Sequence, residues 1–134
     1  LMVSGDDFQI DFDKSLGTLS NWKVDGVEKL KQPLFDNFYR APLDNDIGTS
    51  EADQLDPHSW FARWQGIGLS KLERESIDFQ CQVNSIGVDV MTRTAYLHEG
   101  RVLLTSKWHY HINSEGEVSI DVDVELAKGL PSLP

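Results

Sequence analysis

The stretch Val118-Ser119-Ile120-Asp121-Val122-Asp123-Val124-Glu125-Leu126 decides the fold of this chain of 134 residues. Apolar and polar residues alternate along it without a break, which is the period of a β-strand with one buried face and one wet face. We therefore expect the apolar residues at every second position, from Val118 to Leu126, to be buried in a core, with the polar residues between them in solvent.

Three further strand-like runs precede this stretch. They lie near residues 70–83, 87–98 and 101–113, and the last strand then spans 117–127. The connectors between them are short and rich in turn-forming residues: Asn84-Ser85-Ile86, Glu99-Gly100 and Asn113-Ser114-Glu115-Gly116. Because short connectors join antiparallel neighbours, the second half of the chain is predicted to be a four-stranded meander in an all-β, sandwich-type domain.

The first thirty residues carry a second set of strand signals. Residues 8–12 alternate between apolar and polar, 14–17 indicate a hairpin turn, and 18–24 form the return strand. Asp25-Gly26 marks another hairpin that leads into residues 28–30.

One short helix is predicted near residues 57–67. Asp56 is suited to the N-cap, Pro57 suits the first helical position, and Gly66 and Gly68 end the helix. Its apolar stripe consists of Trp60, Phe61, Trp64 and Ile67. We interpret the tryptophans as packing the helix onto a sheet; the alternative is a platform on which sugar rings stack.

Composition excludes some partners. The net charge of −10 speaks against nucleic-acid binding, which rewards Lys and Arg clusters, and it disfavours anionic membrane surfaces. No apolar run approaches the roughly 20 residues needed to span a bilayer.

The single cysteine, Cys81, cannot form an internal disulfide, so we expect a buried, inert thiol and a reducing cytoplasm. No signal peptide is recognisable, and the native N-terminus is left open.

A polar segment follows the apolar cluster of residues 33–39. Pro42 fixes its own φ, and Asp44, Asn45 and Asp46 can each bond their own backbone, so neither helix nor strand is expected there. Gly48 then opens φ values that are closed to other residues. An ordered scaffold that leads into a polar loop is a common arrangement for function, although a capped connector has the same pattern.

Metal and proton-transfer patterns are weak. Counted from Asp44 as an EF-hand, the sixth position is Thr49 rather than Gly and the twelfth is Leu55 rather than Glu, so no metal ligand is assigned. His109 and His111 lie two apart on a predicted strand and share a face. They could serve proton transfer or begin a zinc site, but we interpret them as solvated residues on the wet face.

Several motifs occur in the order found in one known family. The string RAPLDNDIG at 40–48 is the most specific, and the others are Leu16-Gly17-Thr18-Leu19-Ser20, PLFDNFYR at 33–40, Asp56-Pro57, Trp60 with Arg63-Trp64, and Ile120-Asp121-Val122-Asp123-Val124. From about Phe8 to Leu133, the chain resembles the start of the C-terminal "small chain" domain of lactase-type β-galactosidases, in glycoside hydrolase family 2.

The resemblance implies a fold and an activity. The fold is a galactose-mutarotase-like supersandwich, of which residues 1–134 would form the first half, with open sheet edges or a missing facing sheet. The parent enzyme would hydrolyse terminal β-galactosides such as lactose by retaining double displacement. The family's catalytic glutamates belong to a (β/α)₈ barrel, so no catalytic residue is assigned here and the chain alone is expected to be inactive.

The resemblance also assigns a loop. A mobile segment at the active-site rim matches Gly48, Thr49, Ser50, Glu51 and Ala52. Gly48 matches the hinge, while Ser50 and Glu51 match positions that change hydrogen-bond partners. The motif that supports this loop consists of Arg40, Pro42, Asp44, Asn45 and Asp46.

The implied cofactors and partners lie outside these residues. The family uses Mg and Na, bound mainly elsewhere, and the partners are the barrel-bearing remainder of the chain, a galactoside substrate and further copies in a homo-oligomer.

Two alternative functions stay open. A stand-alone carbohydrate-binding sandwich needs a row of exposed aromatic residues, and a mutarotase-like aldose epimerase needs an acid near His109 and His111.

Overall fold

The chain is described by a computed structural model that covers residues 1–48, 52 and 56–134. Two four-stranded antiparallel sheets account for about half of these residues, each with its strands in chain order. The first sheet contains β1 (Met2–Ser4), β2 (Phe8–Asp13), β3 (Thr18–Val24) and β4 (Val27–Glu28); the second contains β5 (Glu73–Asn84), β6 (Gly87–His98), β7 (Arg101–Ile112) and β8 (Val118–Leu126). The predicted all-β antiparallel architecture is confirmed.

Short helical elements lie between the two sheets in the chain. Those whose bounds fall within the described residues are α1 (Asp44–Ile47), α2 (Trp60–Gly66) and a 3₁₀ turn (Leu69–Lys71). Residues 29–43 link β4 to α1 without regular secondary structure, and we call them the connecting segment.

The hairpin turns follow directly from their residues. Asp25 and Gly26 have φ values of 51° and 73°, and Glu99 and Gly100 have 50° and 77°. Two successive positive φ values are those of the turn that matches the twist of paired strands. The hairpins predicted at Asp25-Gly26 and Glu99-Gly100 are therefore confirmed.

The two sheets pack face to face around one apolar cluster. Ile10, Phe12 and Leu19 come from the first sheet, and Val90, Tyr110 and Ile112 come from the second. The rings of Phe12 and Tyr110 meet edge to face with centroids 5.0 Å apart. The first sheet therefore covers the central strands β6 and β7 at one end.

A second cluster covers the other end of β6 and β7. Its buried members are Trp64, Leu69, Tyr96, Leu103 and Leu104, with Phe38 of the connecting segment packed edge to face on Tyr96 at 4.9 Å. The Trp64 indole N–H also donates to the carbonyl of Ser132 at 2.8 Å. Trp64 therefore packs the helix onto the sheet, as predicted, whereas Trp60 is 39% exposed.

The predicted start of α2 is wrong. Asp56 and Pro57 lie in a turn, where the Asp56 carboxylate accepts the His58 N–H at 2.8 Å. Ser59 is the N-cap, and its hydroxyl accepts the Ala62 N–H at 3.2 Å. Asp56 and Ser59 are both favourable N-cap residues and lie three positions apart. Because Asp56 forms a turn instead, the helix begins three residues later than predicted, at Trp60.

Two burial predictions are also wrong. The inward side chains of β8 belong to the face that carries the core, yet Ile120, Val122, Val124 and Leu126 are 40%, 42%, 42% and 52% exposed. Cys81 is exposed as well, on the edge strand β5. Both strands extend past the area that the first sheet covers.

Candidate functional site

Asp36 fixes the connecting segment to the second sheet. Its Oδ2 accepts the Tyr96 hydroxyl at 2.5 Å and the Ser106 hydroxyl at 2.7 Å, and its Oδ1 accepts the Trp108 indole N–H at 3.0 Å. Burial and the Asp36 carboxylate raise the pKa of Tyr96 to about 12, so this hydroxyl stays protonated at neutral pH and donates the hydrogen bond to Asp36. One carboxylate therefore joins the segment to both β6 and β7.

Two further contacts hold the segment against β3. The Leu34 N–H donates to the Leu19 carbonyl at 3.0 Å, and the Thr18 hydroxyl donates to the Leu34 carbonyl. Both Thr18 and Leu19 are 1% exposed. The segment is therefore secured to both sheets before it reaches the predicted loop motif.

Arg40 and Asp46 form the base of the predicted loop. Arg40 Nη1 lies 2.6 Å from Asp46 Oδ2 and Nη2 lies 3.1 Å from Oδ1, a two-pronged ion pair. Asp46 Oδ2 also accepts the Leu43 N–H at 2.7 Å. The Arg40 hydrogen bonds, followed by that of Leu43, hold the pKa of Asp46 below its ordinary value. The Arg40 guanidinium also lies 5.4 Å from the centroid of the Trp64 ring.

The expectation that residues 44–46 form neither helix nor strand is wrong, because Asp44–Ile47 is a single helical turn. Asp46 sits at the third helical position, and its carboxylate satisfies the backbone N–H of the residue before the helix. The same side-chain chemistry that favours turns here stabilises a helix start. Asp44 and Asn45 are exposed on this turn, and Pro42 is half-buried before it.

Gly48 ends α1 in a backbone conformation that favours glycine. Its N–H donates to the Asp44 carbonyl at 2.6 Å, and its φ is 94°. Thr49, Ser50 and Glu51 lie outside the described residues, and Ala52 is exposed. The structure thus brings together Arg40, Asp46 and the start of the predicted loop, and the role of residues 48–52 stays a prediction.

The two histidines meet an acid on the outer face of the second sheet. Asp89 Oδ1 lies 2.9 Å from His109 Nε2 and 3.0 Å from His111 Nδ1. This is the acid that the epimerase alternative requires, but a single carboxylate oxygen bonds both rings, and the His109 side chain is 47% exposed. Across residues 1–48, 52 and 56–134, no group of three or more His, Cys, Asp and Glu side chains is arranged to hold a metal ion.

The exposed aromatic side chains do not form a sugar-binding row. Among the described residues they are Phe35, 46% exposed, and Trp60, 39% exposed, and they belong to the connecting segment and to α2. An arginine guanidinium lies over each ring, Arg74 at 4.8 Å from Phe35 and Arg63 at 5.0 Å from Trp60. The requirement of the carbohydrate-binding alternative is therefore not met by these two rings.

The sequence matches a family model described as "Beta galactosidase small chain" over residues 4–134. The chain belongs to this family. The matched region includes the connecting segment, the Arg40–Asp46 pair and both sheets, apart from the first two residues of β1.

Relatives of this small-chain sequence are named β-galactosidase. The chain is 44% identical over 131 residues to one from Psychromonas ingrahamii, 44% over 126 residues to one from Vibrio cholerae, and 37% over 134 residues to one from Pseudoalteromonas haloplanktis. These matches cover 98%, 94% and 100% of the chain but only 13%, 12% and 13% of the respective relatives. The chain therefore spans about an eighth of the length of the curated relatives that it matches.

Sequence reasoning missed two residues at this site. Asp36 was noted only as part of a family motif, although an isolated acid within the apolar run of residues 33–39 is a signal for a buried carboxylate with partners. Asp89 carried no such signal, because its link to His109 and His111 depends on the register of β6 with β7.

No helix among the described residues is long and apolar enough to span a bilayer.

Proposed function

We propose that this chain is part of a β-galactosidase that hydrolyses terminal β-galactosides such as lactose. In this proposal, residues 1–134 are the first half of the small-chain domain, they buttress the catalytic barrel, and residues 48–52 are a loop at the rim of the active site. The catalytic carboxylates of a retaining enzyme belong to the barrel, so this chain supplies support and gating rather than a reacting group.

The observation that carries the gating role is the geometry at Gly48. The Arg40–Asp46 ion pair fixes α1, and the chain leaves α1 through a glycine at φ 94°. A fixed base followed by a residue with wide backbone freedom is what a hinged loop needs.

A bare part of the second sheet supports the proposed partner, the remainder of the β-galactosidase polypeptide. β8 pairs with β7 along one edge, and its four inward side chains from Ile120 to Leu126 are 40–52% exposed. Proteins normally cover an apolar edge strand of this kind. Further strands of the same domain, packed on and beside β8, would complete the supersandwich.

Other parts of the proposal concern the whole enzyme. The galactoside binds where the barrel meets the loop, and the enzyme assembles as a homo-oligomer. Mg and Na bind mainly in other parts of the polypeptide, so no step of this chain's role passes through them. A cytoplasmic location suits a chain whose single cysteine, Cys81, is exposed and free.

Gly48→Ala in the β-galactosidase polypeptide that contains this segment tests the gating role. A Cβ disfavours the positive-φ state by roughly 1 kcal/mol or more, which shifts a two-state loop about fivefold. We expect kcat and KM to change together in steady-state assays, with a small change in melting temperature.

Gly26→Ala is the matched control. Gly26 also has a positive φ, 73°, and nothing lies within 4 Å of an added Cβ, so the substitution adds a backbone cost in a hairpin of the first sheet. It should lower the melting temperature and leave the kinetics unchanged. Unchanged kinetics for Gly48→Ala as well would remove the gating proposal.

A further inference from the structure

Four strands form the edges of the two sheets among the described residues. Those of the first sheet, β1 and β4, have three and two residues and are too short to pair along any length with a further strand. Those of the second sheet, β5 and β8, have twelve and nine residues. A long edge strand presents a row of backbone donors and acceptors to any strand that can lie beside it. Only β5 and β8 therefore offer an edge of useful length.

The β8 edge carries charges that oppose pairing with a second copy of β8. Its outer-face side chains include Asp121, Asp123 and Glu125. In an antiparallel pair with a twofold axis at Val122, Asp121 of each copy faces Asp123 of the other. An axis at Asp121, Asp123 or Val124 also places an acid opposite an acid. Like charges directly opposite each other destabilise an antiparallel pair, so β8 is poorly suited to this partner.

The second half of β5 carries no such charges. Asp78 is the single charged residue between positions 76 and 84, and this stretch contains no proline. The register of β5 with β6 is also continuous from Asp78 to Asn84, since the only irregularity lies before Asp78. Charged side chains, prolines and bulges are the usual means by which an edge strand prevents further pairing. Residues 78–84 therefore lack most of these protections.

Apolar surface lies bare along the same stretch. Cys81 is on the inner face of the second sheet, because it pairs with the buried Val90, and Phe79 and Val83 share that face. Cys81 is exposed and Val83 is 76% exposed, so the first sheet does not cover this part of β5. The side chains between them, at positions 80 and 82, are uncharged amides that are exposed on the outer face.

A second copy of this stretch is complementary to it. In an antiparallel pair with its twofold axis at Cys81, each side chain meets one of its own polarity. The opposed pairs are Phe79 with Val83, Gln80 with Gln82, and Asp78 with Asn84. No like charges meet in this register, in contrast to the registers of β8 described above. Cross-strand pairs of this kind are what stabilises an antiparallel sheet.

We propose that two copies of this chain pair antiparallel through residues 78–84 of β5, about a twofold axis at Cys81, and so join their second sheets into one sheet of eight strands. A contact of this symmetry closes with two copies. It gives the homo-oligomer of the proposed function one defined interface. The pairing requires no galactosidase activity, so a failure of the proposed enzymatic function leaves it in place.

Light scattering of the chain in a reducing buffer measures the dimer without any covalent link. We expect a dimer whose share rises with protein concentration at an ionic strength of about 0.1 M, where the acids of β8 still repel one another. A chain that is monomeric at every protein concentration under these conditions would overturn the pairing through β5.

Two double substitutions at the same exposed positions test the register. Gln80→Lys with Gln82→Lys places like charges opposite each other twice across the axis and should raise the dimer dissociation constant about fivefold or more. Gln80→Lys with Gln82→Glu places opposite charges there and should keep the dimer or strengthen it. General repulsion between copies predicts the reverse order, because the two lysines reduce the net negative charge of −10 by two and the lysine–glutamate pair does not. Equal dissociation constants for the two variants would rule out this register.

Cys81, the single cysteine, reports the position of the axis. Directly opposed residues of an antiparallel pair have Cα atoms about 4.5–5.5 Å apart, within the range of about 4.4–6.8 Å that a disulfide spans. Diamide, which takes two electrons and two protons from a pair of thiols, should therefore convert the dimer into a disulfide-linked one.

Val83→Cys combined with Cys81→Ser is the matched control, with one exposed thiol on the same face of the same strand. Across the proposed axis its two thiols lie four residues apart, about 14 Å at about 3.4 Å per residue, and should not link. The double lysine variant should also lose the link through Cys81. Equal yields of disulfide at positions 81 and 83 would mean that the copies meet by random collision or in another register, and would overturn the proposal.

Discussion

The inner face of the second sheet has a covered part and a bare part. On β6 and β7, Val90, Thr94, Tyr110 and Ile112 are no more than 1% exposed, beneath the first sheet and the connecting segment. On β8, residues of the same apolar kind on the same face are 40–52% exposed. On β5, the other edge strand, Val83 is 76% exposed.

The difference lies in the cover and not in the strands. The first sheet has strands of three, six, seven and two residues, whereas those of the second have twelve, twelve, twelve and nine. A small sheet shields the middle of a larger one and leaves its edges in solvent. The two parts should therefore respond differently to the same substitution.

Matched valine substitutions test this difference directly. Val90 is fully buried and Val122 is 42% exposed, and both face inward. In the isolated chain, Val90→Ala should cost about 2–3 kcal/mol of unfolding free energy, from lost burial and the cavity left behind. Val122→Ala should cost about 0.5 kcal/mol or less. Urea unfolding of both variants measures the two values.

The same pair sharpens the proposal about the partner. In the whole β-galactosidase polypeptide, Val122→Ala should cost about as much as Val90→Ala if further strands cover β8. A difference between the two valines that persists in the whole polypeptide would mean that β8 stays bare there.

The exposed valine also shows what the sequence predicts and what it does not. Alternation along residues 118–126 correctly indicates a strand and which side chains share a face. It does not indicate whether another layer covers that face, because the cover comes from residues distant in sequence. Cys81 was misjudged for the same reason: it pairs with the buried Val90 but lies on an edge strand.

Local signals predicted the strands and turns well. The predicted strand at 87–98 matches β6, because Gly87 begins it and Glu99-Gly100 ends it with turn chemistry. The contacts that hold the connecting segment to the second sheet were not predicted. Asp36 bonds residues 60, 70 and 72 positions away, and no local pattern specifies those partners.

The bare part should make the isolated chain self-associate. The apolar row of β8 and its outer backbone edge, which pairs with no other strand among the described residues, favour contact between copies. Asp121, Asp123 and Glu125 lie on the opposite face of the same strand, and their repulsion opposes that contact. We therefore expect association to strengthen as ionic strength rises from about 0.1 to about 1 M, which shortens the screening length from about 10 to about 3 Å.

Light scattering across protein and salt concentrations measures this association. Val122→Lys should shift the chain towards monomer, because it places a charge in the centre of the apolar row. Ser119→Lys, on the opposite face of the same strand, is the matched control for an added charge. If the chain is a monomer at every protein concentration and ionic strength, the exposed apolar row on β8 does not drive self-association.

The outer face of the same sheet should contribute least, and Asp89 tests it. The hydrogen bonds from His111 and then His109 hold the pKa of Asp89 below its ordinary value of 3.8, and Asn84 donates to its second oxygen at 2.6 Å. Because the pKa is lower in the folded state, the carboxylate stabilises the fold above about pH 4 and loses this contribution as pH falls through the folded value. Asp89→Asn should therefore lower the urea midpoint at neutral pH by less than Val90→Ala does. The difference in urea midpoint between Asp89→Asn and the unsubstituted chain should disappear at acidic pH. Asp121→Asn removes an equal charge from the same face without touching the bonds to Asp89, so it separates this contact from net charge. A gap for Asp89→Asn that is independent of pH would mean that the contact with the two histidines does not depend on the ionised carboxylate.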